Sequence, residues 1–229
     1  NRECELSRGL GDVYKRQAGG IYGKAMRNGL WSLKTVNIRD YADDKHKTVD
    51  DTVFGGGSGM LMKPDIVANS LDKNISKGEK IFYLSPKGKK FNQSFANSLS
   101  KQNGINLICG HFEGVDDRLL STRNIEEISI GDYVLSGGET AAFVILDAVL
   151  RLIPGVLGNK DSIKDETFEN SLLEYPQFTK PKIWEGKSVP DVLFSGDHAK
   201  IKSWRLSQSE DITRRQRPDL WEKYLKDKK

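Results

Sequence analysis

"SIGDYVLSGGET", Ser129 to Thr140, reads as a strand that runs into two glycines and then, through Glu139, into a helix. A strand–helix junction of this kind leaves backbone N–H groups pointing outward, beside glycines that let a flat group approach the chain, so it marks a small-molecule pocket in an open α/β sheet. Two earlier runs repeat the pattern. "KIFYLSP", Lys80 to Pro86, and "INLICGHF", Ile105 to Phe112, are apolar stretches separated by a helix-compatible segment around Phe91 to Leu99. The third strand is expected around Ile128 to Leu135, after a helix-compatible interval near Asp116 to Arg123. Repeated β-α-β units imply a parallel sheet with covering helices. The strands end in "SPKGK", "GHFEG" and "SGGE", three loops placed to converge on one pocket. After Glu139, Val144, Ile145, Ala148, Val149 and Leu152 fall on one helical face expected to be core, and "PGVLG" stops that helix at Pro154.

The chain has 229 residues, 37% of them apolar, enough for one sizeable domain and a small one. No apolar run approaches the roughly 20 residues that span a bilayer, and the front has no secretory signal, so a cytoplasmic protein is expected with no membrane partner. Two cysteines, Cys4 and Cys109, and three isolated histidines, His46, His111 and His198, assemble neither a disulfide framework nor a zinc site. The net charge of +4 is uneven: from His198 to Lys229 ten Lys/Arg face five Asp/Glu. The positive field belongs to the C-terminal segment, where it suits a polyanion.

The opening "NRECELSRGLGDVYKRQ" has no readable apolar period before Ile21. Asp12 to Gln17 is what the codons GAT GTG TAT AAG AGA CAG encode, a string matching a transposase adapter used in sequencing libraries. Residues 1–17 are therefore expected to be an artefact or disordered. At the other end, "NKDSIKDETFEN", Asn159 to Asn170, has the polarity of a mobile linker. The expected organisation is 18–158 as the catalytic domain, 159–172 as an interdomain linker and 173–229 as a C-terminal helical domain. In the last, "HAKIKSWRLSQSEDITRR" and "RPDLWEKYLKDK" read as two basic helices that bury Trp204, Leu206, Leu220, Trp221 and Leu225.

"FGGGSGM", Phe54 to Met60, is the densest glycine cluster, yet the chain lacks the G-x-x-x-x-G-K-[ST] loop and has no dinucleotide fingerprint. Close approach of a backbone or of a ligand explains the glycines equally well.

The blocks "TVDDTVFGGGSGMLMKP", "YLSPKGKKF", "CGHFEGVDDR", "EISIGDYVLSGGE", "RLIPGVLG", "LLEYPQFTKP", "SGDHAKIKSWR" and "RQRPDL", in this order, resemble the bacterial tRNA (guanine-N1)-methyltransferases that modify guanosine at position 37, next to the anticodon. The resemblance runs from about Gly20 to the C-terminus. It implies an α/β parallel-sheet domain of the trefoil-knotted class, in which the chain threads through a loop, a rare exception to un-knotted topology. It also implies a homodimer with a shared active site, acting on the tRNA anticodon stem-loop and not on DNA.

By the same resemblance S-adenosylmethionine lies against Tyr83, Leu84, Ser85 and Pro86 of the first loop and Gly110 and Glu113 of the second. From the third it takes Ile130, Gly131, Asp132, Tyr133, Val134, Leu135, Ser136, Gly137 and Gly138. Guanine N1 must lose a proton, so a base is needed, with a cation to steady the charge that develops on O6. The implied cation is Arg151 of "RLIPGVLG"; taken alone it is also a helix-terminal arginine able to satisfy carbonyls. The implied base is Glu166, where the family more commonly has an aspartate; the extra methylene moves the carboxylate by about 1 Å, and Asp165 is its neighbouring alternative. His46, Asp50, Gly55, Gly56, Gly57, Ser58 and Gly59 are implied near the target guanosine, and His198, Trp204 and Arg205 in the tRNA-binding part. No protein ligand motif points to a metal, although Mg²⁺ is compatible with the reaction. The family's first strand, with a block like T-L-F-P-E, is replaced here by the suspect opening, so the sheet is expected to lack a strand. Two other readings compete: a related knotted methyltransferase acting on a ribose hydroxyl or a uridine, and an impaired or inactive RNA-binding homologue.

Overall fold

The computed structural model describes residues 3–7, 20–57, 59–157 and 171–228. The chain divides into two compact units, Asn1–Gly158 and Asn159–Lys229.

The first unit is built on a five-stranded, all-parallel sheet in the order β2-β1-β6-β5-β7. Its elements in chain order are β1 (Glu3–Ser7), α1 (Gly20–Arg27), β2 (Lys34–Val36), a 3₁₀ turn (Ile38–Tyr41), β3 (Asp50–Thr52), β4 (Met60–Met62) and α2 (Pro64–Asn74). They continue with β5 (Ile81–Lys90), α3 (Gln93–Ser100), β6 (Gly104–Ile108), α4 (Asp117–Thr122), β7 (Glu126–Ser129) and α5 (Glu139–Leu150). β3 and β4 form a separate antiparallel hairpin.

Alternation along the strands divides the core into two layers. Phe82 and Leu84 of β5 and Leu107 of β6 pack with Ile128, α1, α3, α5 and Trp31, whereas Ile81, Tyr83 and Ile108 pack with Ile38, α2 and Leu119. The helix starts are locally encoded. Asn92 accepts the Phe95 N–H at 2.9 Å, Asp116 accepts that of Arg118 at 3.0 Å, and Pro64 occupies the first turn of α2.

Several expectations change. The sheet does not lack its first strand: Glu3–Ser7 runs between β2 and β6, with Leu6 opposite both Thr35 and Leu107. Residues 8–19, and with them the adapter-like Asp12 to Gln17, lie outside the described residues. The third strand is Glu126–Ser129, not Ile128 to Leu135. Its end is a side-chain turn in which the Ser129 hydroxyl accepts from Gly131 N–H and donates to Gly131 O, both at 3.2 Å, while Gly131 adopts φ +151°. The apolar residues that imitated a strand, Tyr133, Val134 and Leu135, are exposed. On α5 the buried stripe is Ala141, Ala142, Ile145, Leu146, Val149 and Leu150, which leaves Val144 outside it and Ala148 half-buried.

The second unit contains the short hairpin β8 (Ile183–Trp184) and β9 (Lys187–Ser188), a 3₁₀ turn (Asp191–Phe194), and helices α6 (His198–Gln216) and α7 (Pro218–Asp227). Asp197 caps α6 through Lys200 N–H at 3.0 Å. The expected apolar burial here is incomplete. Leu206 and Leu225 are exposed, whereas Ser209 and Thr213 are buried, the Thr213 hydroxyl accepting from Leu173 N–H at 2.8 Å and donating to Ser209 O at 2.6 Å.

Trp31 is 1% exposed and donates its indole N–H to Tyr22 O at 3.0 Å, fastening α1 to the first core layer. Trp31→Ala is expected to destabilise the fold by about 3–5 kcal/mol, through lost burial and an unfilled cavity. Urea unfolding followed by circular dichroism measures it.

Candidate functional site

The three loops at the carboxyl ends of β5, β6 and β7 enclose a cleft of about 330 Å³, within the range of small-molecule sites. Its floor is apolar, from Leu84, Ile128, Ile130, Leu135 and Ala141, and its walls carry Ser85, His111, Glu113, Ser129 and Ser136. Of the fifteen residues expected to hold the cofactor, fourteen line this cleft. The exception is Asp132, whose exposed carboxylate pairs with Lys90 at 3.6 Å.

The glycines are set by neighbours within the protein. A side chain at Gly138 would meet Cys109 Cα at 2.7 Å and Gly110 N at 3.0 Å, so two backbone segments cross here in direct contact. Gly138 N–H donates to Gly110 O at 2.9 Å, and His111 and Gly137 form an antiparallel bridge. Gly110 and Gly114 make room for the Tyr83 ring, Gly131 for Tyr133, and Gly137 for His111 and Glu139. Burial, with the negative charge of Glu127 as a second cause, holds the Tyr83 hydroxyl above its usual pKa and keeps it protonated.

His111, Phe112 and Lys87 line the cleft without having been singled out from the sequence. Beside the cleft, Glu139 at the start of α5 meets His111 Nε2 through Oε1 at 2.6 Å, which clamps the second loop to the third. A histidine in one loop and a glutamate 28 residues later give no local signal; only the paired loops bring them together.

The glycine-rich loop belongs to the β3–β4 hairpin, whose inner strand is bonded to the second cleft loop. Glu113 N–H donates to Met60 O at 3.0 Å, Met62 N–H to Gly114 O at 2.9 Å, and Asp116 N–H to Met62 O at 3.3 Å. Gly59 lies against the Glu113 side chain, and Gly55, Gly56, Gly57 and Gly59 all have positive φ. His46 and Asp50 sit on the same hairpin region, outside the cleft lining, while Ser58 lies outside the described residues. His198 is exposed at the start of α6, whereas Trp204 and Arg205 line a different cavity in the second unit. Among the described residues no three His, Cys, Asp or Glu side chains gather as metal ligands.

Arg151 caps the C-terminal end of α5 and does not line the cleft. Twelve residues separate it from Glu139, about 18 Å of helix at 1.5 Å per residue. Near it the Tyr22 hydroxyl donates to Asp147 O at 3.3 Å. Burial, then hydrogen bonding to the Asp147 side chain and its negative charge, push the Tyr22 pKa up to about 12, the charge of Arg151 pulling the other way. Glu166 and Asp165 lie outside the described residues.

A family model described as tRNA (Guanine-1)-methyltransferase TrmD matches residues 13–223. A protein of Pelagibacter ubique (strain HTCC1062) named tRNA (guanine-N(1)-)-methyltransferase is 73% identical over 207 residues, covering 90% of this chain and 91% of its own. One of the same name from Brucella canis is 54% identical over 209 residues, covering 91% of this chain and 85% of its own, and a Brucella ovis protein is 53% identical over 209 residues, covering 91% and 86%.

Two tests follow from the geometry. Gly138→Ala forces apart the backbones at Cys109 and Gly138, and is expected to cost about 1–3 kcal/mol, with faster hydrogen exchange at 109–111 and 137–139; Ser136→Ala, exposed on the same loop, serves as the control. For Tyr22 the folded pKa is raised from 10.0 to about 12, so its contribution is complete below pH 10 and is lost as pH rises toward 12. Wild-type stability should therefore fall more than that of Tyr22→Phe across that window in alkaline denaturation curves.

Proposed function

The chain belongs to the tRNA (guanine-1)-methyltransferase family, and from that premise we propose that it methylates N1 of guanine in tRNA at position 37, in the cytoplasm, as a homodimer with a trefoil-knotted catalytic domain. The observation that carries the reading is the gathering of three separate sequence blocks into one cleft, lined by fourteen of the fifteen residues that the resemblance implies for the methyl donor.

The cleft suits S-adenosylmethionine chemically. Exposed Tyr133, Val134 and Leu135 offer apolar surface beside bare backbone and hydroxyls, a combination fitting a nucleoside with a flexible polar tail. Tyr83 to Pro86, Gly110, Glu113 and Ile130 to Gly138, with Asp132 at the rim, would hold it; when bound it supplies an electrophilic methyl group. The knot is supported by the crossing at Gly138, where a strand-end segment passes another with no room for a Cβ.

In the proposed mechanism Glu166 accepts the N1 proton and the Arg151 guanidinium steadies the negative charge left on O6. Desolvation strengthens both effects once RNA covers the site. That Arg151 stands about a helix-length from the cleft of its own chain favours completion of the pocket by a second copy. His46, Asp50 and the loop Gly55–Gly59 would flank the guanine, their hairpin tied to Glu113 by backbone bonds. Trp204, Arg205 and His198 would contact the anticodon arm, whose phosphates suit the basic helices.

Arg151→Ala and Glu166→Gln are each expected to lower methyl transfer by about 10²- to 10³-fold with tRNA binding retained, read by mass spectrometry of digested tRNA. Full activity in both variants would exclude this acid–base pair and favour a reaction on a ribose hydroxyl or a uridine. Calorimetry with S-adenosylmethionine separates the enzyme from an inactive RNA-binding homologue, which should give no heat.

A further inference from the structure

The second unit contains its own cavity, about 920 Å³ and open to solvent, between the extended segment 175–182 and α6. It shares no lining residue with the cleft of the first unit. Aromatic rings and cations line it together. The Arg205 guanidinium stacks over the Tyr175 ring at 4.8 Å, Lys182 Nζ lies over the Phe194 ring at 4.5 Å, and the Phe178 and Trp204 rings sit 6.3 Å apart at 48°. Phe178 is 47% and Phe194 55% exposed, so these faces are offered outward rather than packed in a core. Three cations and no carboxylate belong to the lining.

Aromatic faces therefore stand beside a wall of positive charge. An apolar partner would bury the cations unpaired, and an acidic peptide would leave the rings unused. A flat, electron-rich ring carrying an anionic group satisfies both. Bases within a duplex are already stacked, so only one splayed out of the stack can enter a walled cavity.

We propose that this cavity captures one unpaired nucleotide of the tRNA, other than the one methylated, stacking its base on Phe178 and Trp204 and setting its phosphate against the cations of the lining, Lys180, Lys182 and Arg205. This rests on tRNA being the substrate and adds a second base-reading point. Lys182 contributes charge at the mouth, while its 3.7 Å contact with Asp191 lies outside the lining.

The test uses the full chain without methyl donor, binding a fluorescent anticodon-arm hairpin RNA in which each unpaired position in turn is made abasic. In the wild type one abasic position should weaken binding about tenfold, the size of one base–aromatic stack. Phe178→Ala should lose about the same on the intact hairpin and show no further loss with that abasic probe. Lys182→Gln should lower the salt slope by about one. No singled-out position, or an undiminished abasic loss in Phe178→Ala, overturns the proposal. So does a change of oligomeric state in Phe178→Ala, seen by sedimentation, because the cavity is then covered by a second copy. Methylation of whole tRNA by the wild type is scored separately: methylation without this coupling refutes the cavity alone, and coupling without methylation refutes the enzyme reading alone.

Discussion

The crossing of two backbones at Gly138 and Cys109–Gly110 is the constraint on which the first unit depends. A Cβ at Gly138 would stand 2.7 Å from Cys109 Cα, and the Gly138 N–H to Gly110 O bond of 2.9 Å occupies the space that remains. Because the crossing joins the end of β6 to the start of α5, it fixes where the second and third loops lie. The His111–Glu139 contact of 2.6 Å then adds a side-chain clamp across the same junction. α5 in turn presents Ile145, Leu146 and Val149 to the first core layer, so the packing that stabilises the sheet also holds the crossing shut. A cleft formed in this way is preorganised: its walls are backbone held by backbone, with little side-chain freedom left to lose on binding.

The same economy of close contact explains the first loop. β5 pairs with β7 twice, Leu84 and Lys89 both opposing Ile128, with Ser85–Gly88 looped out between them. Gly88 is forced by that geometry, since a Cβ there would lie 2.4 Å from the backbone of Glu127 and Ile128. The bulge pushes Ser85, Pro86 and Lys87 into the cleft while the strand on either side stays in the sheet. Tyr83, just before the bulge, fills the space opened by Gly110 and Gly114 and so links the first loop to the second.

Periodicity and strand–turn signals in the sequence were sufficient for the parallel sheet, the three loops and the two basic helices, because each depends on local pattern. They failed where tertiary contact overrides pattern. Tyr133, Val134 and Leu135 look like a strand, but the Ser129–Gly131 turn ends the ladder and exposes them on the cleft. Leu206 and Leu225 look like core, but the second unit instead buries a hydrogen-bonded chain from Leu173 through Thr213 to Ser209. The strand Glu3–Ser7 was unreadable for another reason: Cys4 and Leu6 alternate with polar residues over only five positions, too short a run to stand out, and the strand takes its place from the backbone partners β2 and β6 on either side. The cleft's glycines were legible as special positions, but not what they accommodate, since the atoms they avoid are distant in sequence. His111 and Glu139 were missed for the same reason.

The chemistry proposed for this chain is divided among separate parts of its sequence. The cleft supplies shape and bare backbone; the charged residues proposed to act on guanine lie at the far end of α5 and in the linker; the rings and cations suited to an unpaired nucleotide lie in the second unit. An enzyme whose substrate is a large polyanion can use such a division of roles. In the proposed reaction the RNA excludes water as it binds, so proton transfer and charge stabilisation become strong only when the correct substrate has completed the site. Binding energy from remote phosphates and a remote base is then spent on assembling the reacting groups, and an RNA lacking those contacts loses rate as well as affinity. On this view discrimination among tRNAs requires no elaborate pocket around the target base: it follows from the need to engage both units before Arg151 and a carboxylate meet one guanine.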